Sequence, residues 1–276
     1  MFHYCLFHCK KIIFMIDFSL KGKHALICGS SDGIGLATAQ IMAELGANCI
    51  LLARNEQKLA DAVSKLPTVA IQQHRFAVAD FDKLEEVESV INQIIKEIRV
   101  SILVNNSGGP AAGPLLASSS SAFQTAFSRH LLCNQTLSKA VVPTMKELGY
   151  GRIINIISTS VKSPLPNLGV SNTIRAAVAS WAKTLANELG AFNITVNNVL
   201  PGATRTGRLT SLLEQTAIDR NITADQVAED MIKGIPMRRF GYAEEVANVI
   251  AFLASPAASY VTGINIPVDG GRTPSL

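Results

Sequence analysis

The run His24-Ala-Leu-Ile-Cys28, followed by Gly29-Ser-Ser-Asp-Gly33-Ile-Gly35 and then by Ile41 and Leu45 at helical spacing, reads as a strand, a glycine turn and a helix N-terminus. Glycines allow a tight turn and a close approach of ligand to backbone. The first N–H groups of a helix, at the positive end of its dipole, attract phosphate. The segment therefore predicts a dinucleotide pyrophosphate site. Its spacing is G-x3-G-x-G rather than the commoner G-x-G-x-x-G, and glycine also serves ordinary turns, so the rest of the chain has to decide between ligand site and plain turn.

Outward from this unit the pattern alternates. Apolar runs at 48–53, 71–79, 101–105, 152–157, 193–199 and 264–268 read as strands, and amphipathic stretches at 56–66, 84–98, 121–148, 171–189 and 243–254 read as helices. Such alternation predicts an α/β domain: a doubly wound parallel sheet of about seven strands, helices on both faces, and ligands at the carboxyl ends of the strands. Residues 204–235, after Pro201-Gly202, break the pattern with polar and helical pieces and are expected to form an irregular lid over that crevice.

Hydrophobic residues make up 48% of the 276, which suits strands covered on both faces, yet no apolar run reaches the length of a membrane span. The formal charge of +4 is scattered, without a basic run or interleaved aromatics, so neither a nucleic-acid nor a membrane partner is expected. Cys5, Cys9, Cys28, Cys49 and Cys133 include no C-x-x-C pair, which fits free thiols in a reducing, cytoplasmic setting. Residues 1–14 read as a disordered extension or a start assigned too early. Their His3, Cys5, His8 and Cys9 match no zinc spacing, so no metal is expected, and Met15 is the expected true start of a domain covering 15–276.

Several ordered segments resemble the short-chain dehydrogenase/reductase family, across nearly everything from Phe18 to Gly271. They are the glycine turn, Asp80 after the third strand, Asn105-Asn106-Ser107-Gly108 where the family has N-N-A-G, Gly151-Arg-Ile-Ile-Asn-Ile-Ile-Ser158, Pro201-Gly202 with Thr206, and Val268-Asp269-Gly270-Gly271. Leu137-Ser-Lys-Ala-Val141 and Ala251-Phe-Leu-Ala-Ser255 are most similar to the 3-oxoacyl-acyl-carrier-protein reductase group. The resemblance implies a Rossmann-type fold, a homotetramer, and hydride transfer between a nicotinamide cofactor and a small carbonyl or alcohol, such as a 3-oxoacyl thioester. It implies that Gly29, Ser31, Asp32, Gly33, Ile34, Gly35, Asn106, Ser107, Gly108, Pro201 and Gly202 hold the cofactor, with Asp80 on the adenine amino group and Thr206 on the carboxamide. Physically, Asp80 could equally cap a strand end, the asparagines could bond neighbouring backbone, and Thr206 could be a turn residue.

The second strand ends Leu51-Leu52-Ala53-Arg54-Asn55. An NAD site places a carboxylate there, whereas here Arg54 offers a planar cationic fork to a 2′-phosphate, so NADP(H) is preferred over NAD(H). Asp32, where NADP-linked relatives often carry a basic residue, leaves NAD(H) as a second option.

The family's catalytic serine matches Ser158. Thirteen residues on, where the family has tyrosine, stands Ser171, and four further, in place of lysine, stands Arg175; the family's helix asparagine projects onto His130. A serine hydroxyl is too weak an acid to replace a tuned phenol, and arginine cannot shuttle a proton at ordinary pH. Arg175 could anchor ribose and stabilise an oxyanion, with the proton coming through water, from His130 or from the substrate; His130 could also be a packed helix residue. Three functions stay open: an NADP(H) oxidoreductase with altered proton transfer, a cofactor-binding but catalytically weak sensor or partner subunit, and non-redox chemistry of the halohydrin dehalogenase kind.

Overall fold

Strand β1 (His24–Cys28) lies near the middle of a sheet of seven parallel strands; the computed structural model describes residues 16–275. Its neighbours are β2 (Asn48–Ala53) and β4 (Ile102–Asn105), and the full order is β3 (Arg75–Val78), β2, β1, β4, β5 (Gly151–Ile156), β6 (Ile194–Pro201), β7 (Asn265–Val268). The order reverses direction between β1 and β4, and a doubly wound sheet opens a crevice at that switch point. Residues 1–14 and Met15 lie outside the described residues, as do Cys5 and Cys9.

The interior strands are buried along nearly their whole length because helices cover both faces. On one face α1 (Gly33–Glu44), α2 (Glu56–Ser64) and α9 (Ala243–Ala254) pack Ala39, Met42, Leu59 and Ile250 onto Ile27, Leu51 and Ile154. On the other, α3 (Leu84–Glu97), α5 (Cys133–Leu148) and α6 (Gly169–Leu189) pack Ile91, Leu137, Val141 and Ala186 onto Leu26, Leu103 and Ile153. Cys28, Cys49 and Cys133 are free and buried, and burial pushes the thiols of Cys49 and Cys133 up to about 12. No helix among the described residues is long and apolar enough to cross a membrane.

Side chains as well as backbone join the carboxyl half of the sheet. Asn105 Nδ2 donates to Asn155 Oδ1 (2.9 Å), Asn155 Nδ2 to Asn198 Oδ1 (2.9 Å), and Asn198 Nδ2 to Asn265 Oδ1 (2.8 Å). These four asparagines are register partners on β4, β5, β6 and β7, so the amides form one transverse ladder.

Three elements differ from the sequence reading. The edge strand β3 begins at Arg75 rather than residue 71, because its ladder with β2 starts at the Ile50–Arg75 pair, and Gln72 instead bonds the carbonyls of Ala43 and Ala47. The helix expected over 121–148 is interrupted: α4 (Ser120–Phe127) passes through a π turn (Ser128–Leu132) into α5. The lid is two regular helices, α7 (Gly207–Arg220) and α8 (Ala224–Lys233), the second closed by a Thr223–Gln226 capping box. Their polar outer faces hid an apolar seam in which Leu209 packs with Ile235 and Phe240.

Candidate active site

At the switch point β1 runs into the glycine turn. Gly29 (φ +58°) and Gly33 (φ +55°) occupy the left-handed region that favours glycine, and a Cβ on Gly35 would lie 2.2 Å from the Gly29 carbonyl oxygen. Asp32 caps α1 by accepting from the Gly33 N–H at 2.7 Å, and the next first-turn N–H groups have no intrahelical acceptor. Gly29, Asp32, Gly33 and Ile34 line a cavity of about 450 Å³, while Ser31 and the buried Gly35 support the turn from outside its wall. From β4, Asn106 ties its Nδ2 to Gly29 O (3.1 Å), and Ser107 and Gly108 continue the lining. Asn105 faces the asparagine ladder instead. Pro201, Gly202 and Thr206 form the wall after β6; a Cβ on Gly33 would come 3.2 Å from the Thr206 methyl, so the start of the lid rests on the turn.

Two expected cofactor residues lie off that wall. Arg54 stands exposed just past β2 and makes no hydrogen bond or ion pair among the described residues. Asp80, just past β3, accepts the Asp82 N–H at 3.1 Å, an Asx turn that leaves the rest of its carboxylate unengaged.

The same cavity holds Ser158, Ser171 and Arg175. Ser158 Oγ accepts the Ser160 N–H (3.1 Å), which fixes it at the head of a short 3-10 turn. Arg175 is 8% exposed; its Nη1 donates to Ile156 O (2.9 Å) and its Nε has no partner. Burial first, then the charges of Arg208 and Arg129, pull its pKa down to about 10, so it stays a cation at neutral pH. That cation and the Ser158 hydroxyl can stabilise a developing oxyanion.

His130 does not line the cavity. The π turn carries it behind Ser107, 2% exposed, with Nδ1 2.7 Å from Ser107 Oγ and Nε2 unpartnered. Burial, then Arg175, Arg129 and Arg208, hold its pKa near 2. In that place the neutral ring is positioned to orient Ser107. No tyrosine among the described residues lines the cavity either: Tyr150 donates its hydroxyl to Ala254 O, while Tyr242 and Tyr260 stand exposed elsewhere.

Residues missed from the sequence complete the site. Arg208 and Leu212 of α7, Met231 of α8 and Arg272 beyond β7 close the cavity opposite Leu165 and Leu168. Arg208 reaches across its mouth to the carbonyls of Gly109 (3.2 Å) and Pro110 (2.8 Å). The only sequence signal was a cation two residues after Thr206.

A family model described as "Enoyl-(Acyl carrier protein) reductase" matches residues 29–273. The chain is similar to "Dehydrogenase/reductase SDR family member 4" of Oryctolagus cuniculus, 32% identical over 259 residues, which are 93% of this chain and 96% of that protein. "NADPH-dependent reductase BacG" of Bacillus subtilis is 30% identical over 257 residues, 91% of this chain and 98% of that protein. Among solved structures, L-sorbose reductase from Gluconobacter frateurii, complexed with NADPH and L-sorbose, has a TM-score of 0.88 at 30% identity and covers 94% of this chain and 100% of its own.

Proposed function

The chain belongs to the short-chain dehydrogenase/reductase family, and from that premise we propose that it moves a hydride between NADP(H) and a small carbonyl or alcohol without the family's tyrosine and lysine. The observation that carries the reading is the convergence of the glycine turn, Ser158 and Arg175 on one cavity. NADP(H) is supported by the free Arg54 guanidinium past β2, by the NADPH-dependent Bacillus subtilis relative and by the NADPH in the sorbose reductase structure. The N–H groups of the turn would hold the pyrophosphate, Arg54 the 2′-phosphate, Asp80 the adenine amino group, Thr206 the carboxamide and Arg175 the ribose. When bound, the cofactor supplies or accepts the hydride. Ser158 then orients the substrate oxygen, and Arg175 stabilises its negative charge. Because Arg175 keeps its proton at neutral pH, the proton enters through water admitted by the small side chain of Ser171. A 3-oxoacyl thioester is one of the carbonyls for the substrate panel.

A second reading, a cofactor-binding sensor or partner subunit with weak turnover, draws on the absence of a phenol from the described cavity wall. NADPH absorbance over a panel of carbonyls and alcohols separates the two. Turnover that collapses in Ser158→Ala supports the first, and tight NADPH binding with no turnover across the panel supports the second. The Ser171→Tyr/Arg175→Lys double variant restores the family pair; a large gain in rate would mark the site as a weakened version of it. We further propose a cytoplasmic homotetramer built from the domain at 15–276, with residues 1–14 dispensable, assembled through the α4–α5 and α6 helices; light scattering tests the assembly.

A further inference from the structure

Charge in the cavity is one-sided. Among the described residues Arg175, Arg208 and Arg272 line it against a single carboxylate, Asp32, which sits at the glycine turn and is engaged in capping α1. Nearby Arg129 is answered by a bidentate pair with Asp82 (2.6 and 2.7 Å), but among the described residues Arg208 hydrogen-bonds only the neutral carbonyls of Gly109 and Pro110. Arg175, nine-tenths buried, donates from Nη1 to Ile156 O and has an unpartnered Nε. The two guanidinium groups converge on one spot: a Cβ on Gly109 would lie 3.3 Å from Arg208 Nη2 and 3.8 Å from Arg175 Nη2. Like charges gathered in a partly desolvated wall repel one another and are costly until an anion completes them.

We propose that the substrate carries an anionic group, a carboxylate or phosphate, that docks beside Gly109 between Arg208 and Arg175, so that the reacting carbonyl belongs to an oxo acid or its phosphorylated counterpart. The inference rests on the hydride-transfer reading. Planar guanidinium forks match two oxygens of such a group, and Arg208 reaches the spot from the lid, so the anion would also hold α7 over the cavity. The cofactor's pyrophosphate is the other source of the same chemistry; its cradle is the glycine turn after β1, whereas Gly109 follows β4.

The test uses the NADPH-loaded protein with acetoacetate and levulinate against their methyl esters, read by calorimetry for binding and by NADPH absorbance for turnover. The acids should bind at least about tenfold tighter than their esters, and Arg208→Gln should erase that ratio while NADPH affinity holds within about twofold. Arg208→Lys should retain part of it, and Gly109→Ala should reduce it by crowding the spot without removing a charge. Equal binding of acid and ester overturns the proposal, as does an Arg208→Gln variant whose NADPH affinity falls in step with the acid's. Acid preference without turnover keeps the subsite and removes the hydride-transfer reading; turnover without acid preference does the reverse.

Discussion

The two ends of the cavity are built from different material. At the β1–α1 end the ligand would be held by main-chain N–H groups, and the required residues are glycines whose side chains are excluded by contact, as at Gly35. At the β5–α6 end the side chains of Ser158, Ser171 and Arg175 line the cavity and would carry the chemistry, with two of the three read from the sequence as departures from the family pattern. A site made of backbone leaves little freedom to substitute, whereas one made of side chains can change its acid, its cation and its substrate on an unaltered frame.

The sharpest way to break this contrast is at the backbone end. Gly35→Ala should cost at least about a hundredfold in NADPH affinity, measured by nicotinamide fluorescence on protein whose circular dichroism is unchanged, because its methyl would displace the turn. Undiminished affinity would show that the turn is not the cradle. At the side-chain end, Ser158→Ala should lower turnover by roughly a hundredfold with NADPH affinity preserved, as for a hydrogen bond made in the transition state. Arg54→Ala should weaken NADPH by about tenfold and leave NADH untouched, since only the 2′-phosphate would be lost as a partner.

A separate test concerns the buried imidazole behind Ser107. His130 titrates near 2 when folded against an ordinary 6.5, so below pH 6.5 the unfolded chain binds a proton that the folded one refuses. Stability should therefore fall with pH by up to about 1.4 kcal/mol per unit below that point, and His130→Asn should flatten the decline in Tm between pH 6.5 and 4. An identical slope in both proteins would place the acid sensitivity elsewhere. The smallest change is expected from removing residues 1–14, which should leave Tm and NADPH affinity where they were.

The backbone end was legible in the sequence because its signals are local: alternating apolar runs and three glycines within seven residues. Ser171 and Arg175, singled out by their spacing from Ser158, stand together on α6 and line the cavity. What stayed hidden depends on distant partners. Arg208 finds Gly109 across 99 positions of chain, and the π turn that moves His130 behind Ser107 lies inside an unbroken helical pattern. The lid helices escaped because short, mostly polar segments give little periodic signal until a small core such as Leu209, Ile235 and Phe240 gathers them.

The asparagine ladder braces the half of the sheet from β4 to β7. Its three amide bonds all run in the same donor-to-acceptor sense from β4 to β7, so one flipped side chain or a one-residue slip would interrupt the series rather than a single link. At about 1 kcal/mol each they are modest individually, but they must shear together. The strands they yoke lead into Asn106, Ser158 and Pro201-Gly202, so three stretches of the cavity wall ride on one stiff plate. Hydrogen exchange should find β4 to β7 opening as a single unit while the β2–β3 edge, outside the yoke, opens earlier and alone.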